Sequence, residues 1–163
     1  MNNKSVELFL QNCKQELEDI KNIKKIVGST STIMMFLTRY SLIKVCGTLE
    51  LSYKTIIADF CETSQSDQVK NFISNKIRNN PKNPTINNII NILRDFSIDW
   101  SEKFKEKLNN EPNSDKIKFS IKSLNDARNE FAHGGNPNIA FENLEDYFDD
   151  ASILIQLLDD VVK

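Results

Sequence analysis

Arg128, Asn129 and His133 are the residues whose types and spacing could do chemistry. They supply a guanidinium that keeps its charge, an amide, and an imidazole able to take up or release a proton. They lie in the segment Ser123-Leu-Asn-Asp-Ala-Arg-Asn-Glu-Phe-Ala-His-Gly-Gly-Asn136. Ile117, Ile121, Leu124 and Phe131 recur at helical spacing, and Arg128 falls on the same stripe. A buried guanidinium there demands an acidic partner or a ligand. His133, the single histidine of the chain, closes the helix, and Gly134 offers the left-handed position that ends it. On an ideal helix Arg128 and His133 point about 140° apart, whereas Asn129 and His133 share a face. Three arrangements bring the pair together: a long arginine reaching round, a frayed helix end, or two copies of the helix meeting across a dimer axis. We favour the dimer. By spacing alone, capping plus a core ion pair accounts for the cluster more simply.

Other residues add less. Glu50, between Leu49, Leu51 and Tyr53, is either the carboxylate that orients Arg128 or an exposed charge. Lys116, Lys118 and Lys122 lie upstream of His133, where a solvated face is favoured over a phosphate guide. Asp146, Asp149, Asp150, Asp159 and Asp160 lack a neighbouring histidine or calcium-loop glycine and are expected to be solubilising surface, so no metal and no cofactor is expected. Cys13, Cys46 and Cys61 form an odd set without CxxC, expected to be small core residues. The ten phenylalanines fall mostly on helical stripes and read as core.

The elements that must position these residues are separated by clear breakers. Gly28-Ser-Thr-Ser-Thr32, Thr63–Asp67, Asn79–Pro84, Asn109–Ser114 and Gly134–Asn138 hold every Gly and Pro except Gly47. Between them the period is helical. Val6, Phe9, Leu10, Cys13, Leu17, Ile20 and Ile23 form the first stripe. Residues 33–61 are apolar on several faces, which suits a central helix touched all round. Ile86, Ile89, Ile90, Leu93 and Phe96 form another stripe. Trp100, Phe104 and Leu108 follow, with Asp99 and Glu102 spaced like a capping box. Phe141, Leu144, Phe148, Ala151, Ile155, Leu158 and Val162 complete the pattern. No period-2 strand occurs. The expectation is one all-α domain over residues 1–163, a bundle of long central and terminal helices with shorter ones in the middle.

With 21 Lys+Arg against 23 Asp+Glu the net charge is −2, which excludes a carrier that holds nucleic acid by charge alone. The phosphate-cradling loops GxGxxG and GxxxxGK[ST] are absent. The longest apolar run, Ile33–Leu37, is far too short for a membrane span, and nothing resembles a signal peptide, so a cytoplasmic protein without a membrane partner is expected.

The hexapeptide Arg128-Asn-Glu-Phe-Ala-His133 with its Gly tail, in a small all-α chain, resembles the Arg-x4–6-His signature of the HEPN superfamily. Gly47-Thr-Leu-Glu-Leu-Ser-Tyr53 and Ile92-Leu-Arg-Asp-Phe96…Trp100…Phe104 are similar to stand-alone prokaryotic members called RiboL-PSP-HEPN. The likeness spans roughly residues 33–160, and the helix within residues 1–28 matches less clearly. It implies a metal-independent endoribonuclease that works as a homodimer through the helices carrying the motif. It also implies a toxin or phage-defence role, with an antitoxin or defence-system protein as a further partner. Arg128 and His133 would be catalytic, with Asn129 supporting; Glu50 supports the site on the reading in which it orients Arg128. Other family members are catalytically silent adaptors that bind a protein or nucleotide, which is the alternative.

Overall fold

The computed structural model of the protein describes residues 1–63 and 65–162. It contains seven α-helices, and no strand among the described residues: α1 (Lys4–Val27), α2 (Thr32–Glu62), α3 (Asp67–Ile73), α4 (Ile86–Phe96), α5 (Ile98–Asn110), α6 (Ser114–Ala132) and α7 (Phe141–Val161). A π turn, Ser74–Arg78, extends α3. The all-α expectation is met, and each breaker stretch separates two helices; Ser64, within the second, lies outside the described residues.

Polar side chains start most helices, because the first N–H groups of a helix lack intrahelical partners. Asn3 accepts from the Val6 amide at 3.1 Å, Ser31 from Met34 at 3.2 Å and Thr85 from Asn88 at 3.1 Å. For α5 the cap is Ser97, which accepts from the Trp100 amide at 3.3 Å. Asp99 therefore sits inside the first turn and pairs with Lys103, so the Asp99–Glu102 capping box does not form.

α2 is the spine. At 31 residues it runs about 46 Å. It packs against α1, α6 and α7, while α4 lies on α5 and α5 reaches α7. Leu42, Val45, Leu49, Tyr53 and Ile57 of α2 enter one core cluster with Cys13 and Leu17 of α1, Ile117 and Leu124 of α6, and the α7 stripe. All seven residues expected on that stripe are buried.

Three expectations need correction. First, α2 is not surrounded along its length. Ser52–Ala58 are buried, yet Ile33, Phe36, Tyr40, Ile43 and Leu51 are exposed and recur at helical spacing along one face. Second, Asp150 and Asp159 are not surface. Asp150 accepts from the Ser120 hydroxyl at 2.6 Å and pairs with Lys116 at 3.0 Å, while Asp159 accepts from the backbone amide of Asn3 at 3.1 Å. These carboxylates join α7 to α6 and to the start of α1. Third, Phe36, Phe60, Phe72, Phe96 and Phe119 are exposed, so the phenylalanines are not mostly core. The helical stripe assigns a residue to a face; only the packing of the neighbouring helix decides whether that face is covered.

α1 is also tied to α2 electrostatically. Glu16 accepts from the Tyr40 hydroxyl at 2.6 Å and pairs with Lys44. The Lys44 ammonium and then the Tyr40 hydroxyl hold the Glu16 carboxyl below its ordinary value of 4.5. A depressed folded-state value means that this contribution is present above pH 4.5 and is lost as pH falls through the folded value. Thermal unfolding followed from pH 7 down to pH 3 is therefore expected to show a smaller acid loss in Glu16→Gln than in the parent. Equal acid losses would refute this contribution.

Candidate functional site

The end of α6 is built by its two glycines. His133 is the C-cap, with φ −90° and ψ 15°, and Gly134 follows at φ 83°. Gly134 N–H donates to the Phe131 carbonyl at 3.1 Å and Gly135 N–H to the Glu130 carbonyl at 2.9 Å. This pair of bonds is a Schellman motif. Gly135 has a separate reason to lack a side chain: an added Cβ would meet Glu130 Cγ at 2.6 Å and the Glu130 carbonyl oxygen at 2.9 Å. The Gly-Gly tail thus fixes where the helix stops, and with it the placement of His133, which is solvent-exposed.

Arg128 lies one and a half turns earlier and is half-buried. Ala127 and Leu124, not Arg128, carry the buried stripe. The Arg128 side chain lines an open cleft of about 350 Å³ with Glu50, Pro81, Lys82, Asn83 and Asn88. The cleft therefore joins α2, the 79–85 loop, α4 and α6. His133 is not among its lining residues.

The loop is held in place by hydrogen bonds from each side. Tyr53 OH donates to the Lys82 carbonyl at 2.8 Å, and Lys82 N–H donates to Glu50 Oε1 at 3.1 Å. Asn88 Nδ2 donates to the Asn83 carbonyl at 2.8 Å. Asn83 Nδ2 in turn donates to Asn129 Oδ1 at 2.8 Å, and Arg128 Nη1 approaches the same oxygen at 3.5 Å. Asn129 thus connects the motif to the loop.

Glu50 reaches the cleft but forms no ion pair with Arg128. It is held instead by Lys54, one turn along α2, and by the Lys82 amide. Among the described residues Arg128 has no carboxylate within ion-pair distance, so a half-buried permanent cation faces the cleft without a neutralising partner. That arrangement suits an anion such as a phosphate. Cys46 is buried and donates to the Leu124 carbonyl. Burial pushes its thiol up to about 12, with Arg128 opposing and Glu50 reinforcing the shift. Cys46 is therefore a protonated core residue at neutral pH, and burial raises Cys13 in the same direction.

Lys116, Lys118 and Lys122 lie on the charged face of α6 engaged with Asp150, Asn109 and Asp126, which fits the solvated-face expectation. Among the described residues no group of three or more His, Cys, Asp or Glu side chains is placed to hold a metal.

The RiboL-PSP-HEPN family model matches residues 9–163. The chain belongs to the RiboL-PSP-HEPN family, within the HEPN superfamily. The match includes most of α1, so the family likeness begins upstream of the residues where the sequence reading placed it. No curated protein and no solved structure gives a significant match. HEPN membership points to a ribonuclease or nucleotide-binding type of function.

The structure thus gathers Arg128, Asn129 and Glu50 around one cleft and leaves His133 outside it. Sequence reasoning missed Lys82, Asn83 and Asn88. Their signal was the run Asn79-Asn-Pro-Lys-Asn-Pro84, which marked a break but whose side chains were not considered. Pro fixes extended backbone on either side of Lys82-Asn83, and Asn supplies local hydrogen bonds.

Because the chain has one histidine, its ring gives one set of imidazole NMR signals. Gly135→Ala is expected to lower stability by about 1–3 kcal/mol and to shift that set, since the cap that holds His133 must open. A stable variant with unmoved imidazole signals would show that Gly135 does not set the histidine's position.

Proposed function

We propose that the protein is a metal-independent endoribonuclease that works as a homodimer. The observation that carries this reading is the cationic Arg128 cleft, whose charge has no carboxylate partner among the described residues, with the exposed His133 outside its lining. Each protomer supplies a phosphate seat with no imidazole lining it; in the dimer the two motifs pool, so that the imidazole of each copy faces one phosphate.

The reaction follows from these groups. The ribose 2′-oxygen attacks the adjacent phosphorus, an imidazole takes the 2′-OH proton, and the P–O5′ bond breaks as a second imidazole protonates O5′. The products are a 2′,3′-cyclic phosphate and a 5′-hydroxyl. Two imidazoles facing one phosphate resist carrying a proton each, which leaves one as base and one as acid. The Arg128 guanidinium stabilises charge on the pentacoordinate phosphorus. Asn129, held by Asn83, positions the Arg128 side, and Glu50 shapes the cleft through Lys54 and the loop.

The exposed face of α2 supports the dimer. Ile33, Phe36, Tyr40 and Ile43 give it apolar area, and Gly47 has open space where a Cβ would project. By contrast Lys122, Asp126 and Glu130 make the outer face of α6 charged. Arg39 on the same half of α2 donates to Asn136 Oδ1 at 2.6 Å, so the loop after His133 is tied to the helix that would meet a second copy. Family likeness extends the reading to a toxin or phage-defence effector that a partner protein restrains.

The test is cleavage of end-labelled tRNA and mRNA by purified protein in EDTA, beside His133→Ala. Cutting by the wild type alone, with cyclic phosphate ends and at least a 100-fold loss in the variant, is expected. No cutting by the folded protein would favour the adaptor reading.

A further inference from the structure

A second depression, of about 370 Å³, adjoins the Arg128 cleft and shares Lys82 with it. Lys54, which holds Glu50 in the first cleft, lines the second as well. Two phenyl rings from different elements open onto it, Phe72 of α3 and Phe96 of α4, at 59% and 38% exposure. Leaving such rings in water forgoes a substantial hydrophobic gain. Lys76 and Lys82 add positive charge, and neither ammonium forms an ion pair among the described residues, whereas eleven other lysines do.

The platform is preorganised. Asn79 N–H closes the π turn on the Ser74 carbonyl at 2.9 Å. Arg78 at its end binds Asp59 at 2.6 Å and Glu62 at 2.8 Å, clamping the turn to α2. Phe72 and Lys76 therefore face the depression from a segment anchored on the central helix. Asp95 is the carboxylate on its wall, an acceptor suited to the N–H donors of a base edge.

A flat aromatic group joined to an anion is the ligand these walls describe. We propose that the depression is a nucleobase subsite. A base stacks on Phe72 and Phe96, Lys76 and Lys82 hold the flanking backbone phosphates, and the chain continues across Lys82 to the phosphate seated at Arg128. This rests on the ribonuclease reading for the identity of the strand. An apolar peptide would use the phenyl rings, but it gives no use to two unpaired lysines on a wall shared with a cationic cleft.

The experiment is binding of a fluorescein-labelled single-stranded RNA dodecamer to His133→Ala protein, which leaves the probe intact. Phe72→Leu and Phe96→Leu keep apolar bulk but lose the ring face, and each is expected to weaken binding about tenfold. Lys76→Gln is expected to reduce the slope of log affinity against log salt by about 0.7. Phe72→Trp, made with Trp100→Phe, should bind as the parent does and be quenched by RNA. An abasic ribose-phosphate oligomer should bind the parent as weakly as RNA binds Phe72→Leu. Folded leucine variants that bind RNA like the parent, or an abasic oligomer that binds as tightly as RNA, would overturn the subsite whether or not the wild type cuts. Ring-dependent binding in a protein that never cuts RNA would keep the subsite and dismiss the nuclease.

Discussion

A helix turns about 100° per residue, and on α6 this constraint separates the two groups on which function would depend. Arg128 is directed into the cleft made with α2, the 79–85 loop and α4. His133, five residues later, caps the helix in solvent. Sliding one residue toward the other is not available. The Schellman bonds of Gly134 and Gly135 stop the helix at His133, and Asn129 is committed to Asn83. The same regularity that makes α6 a stable wall of the core keeps Arg128 and His133 on different sides of it.

The rest of the architecture serves that placement. α2 carries Glu50 and Tyr53, which hold the loop opposite Arg128, and its buried middle anchors them in the core. Beyond the middle, one face of α2 remains apolar and open, next to the segment that follows His133. In the proposed dimer this face brings an imidazole from each copy to the cleft region. The charges are allotted consistently: Glu50 is satisfied by Lys54, which leaves Arg128 and Lys82 to meet an anion. The same distribution continues into the neighbouring depression, where Lys76 adds a cation beside two open phenyl rings.

Much of this was legible in the letters. The breakers Gly28, Asn79–Pro84 and Gly134–Asn138 mark real helix ends, because few residues tolerate those conformations or caps. The α7 stripe is entirely buried, since a helix with one neighbour-facing side writes its period plainly. Legibility failed where tertiary contacts choose between equal local options. Arg128 shares its stripe with Leu124, but the loop opens a cleft there, so it is half-buried rather than paired with Glu50. Asp150 and Asp159 look like a solubilising run, yet they bond to Ser120 and to the first residues of the chain, far apart in sequence. Phe96 ends an apolar stripe and Phe72 reads as core with the other phenylalanines, and nothing local reveals that both stay exposed.

The central claim is that a working site needs the motif from two copies. Wild-type and His133→Ala protein, co-refolded at a fixed total concentration and varied ratio, test it through the rate of RNA cleavage. If both imidazoles act on one phosphate, the rate falls as the square of the wild-type fraction. A rate that falls in direct proportion to that fraction would mean that one imidazole suffices at each site, and would contradict the account.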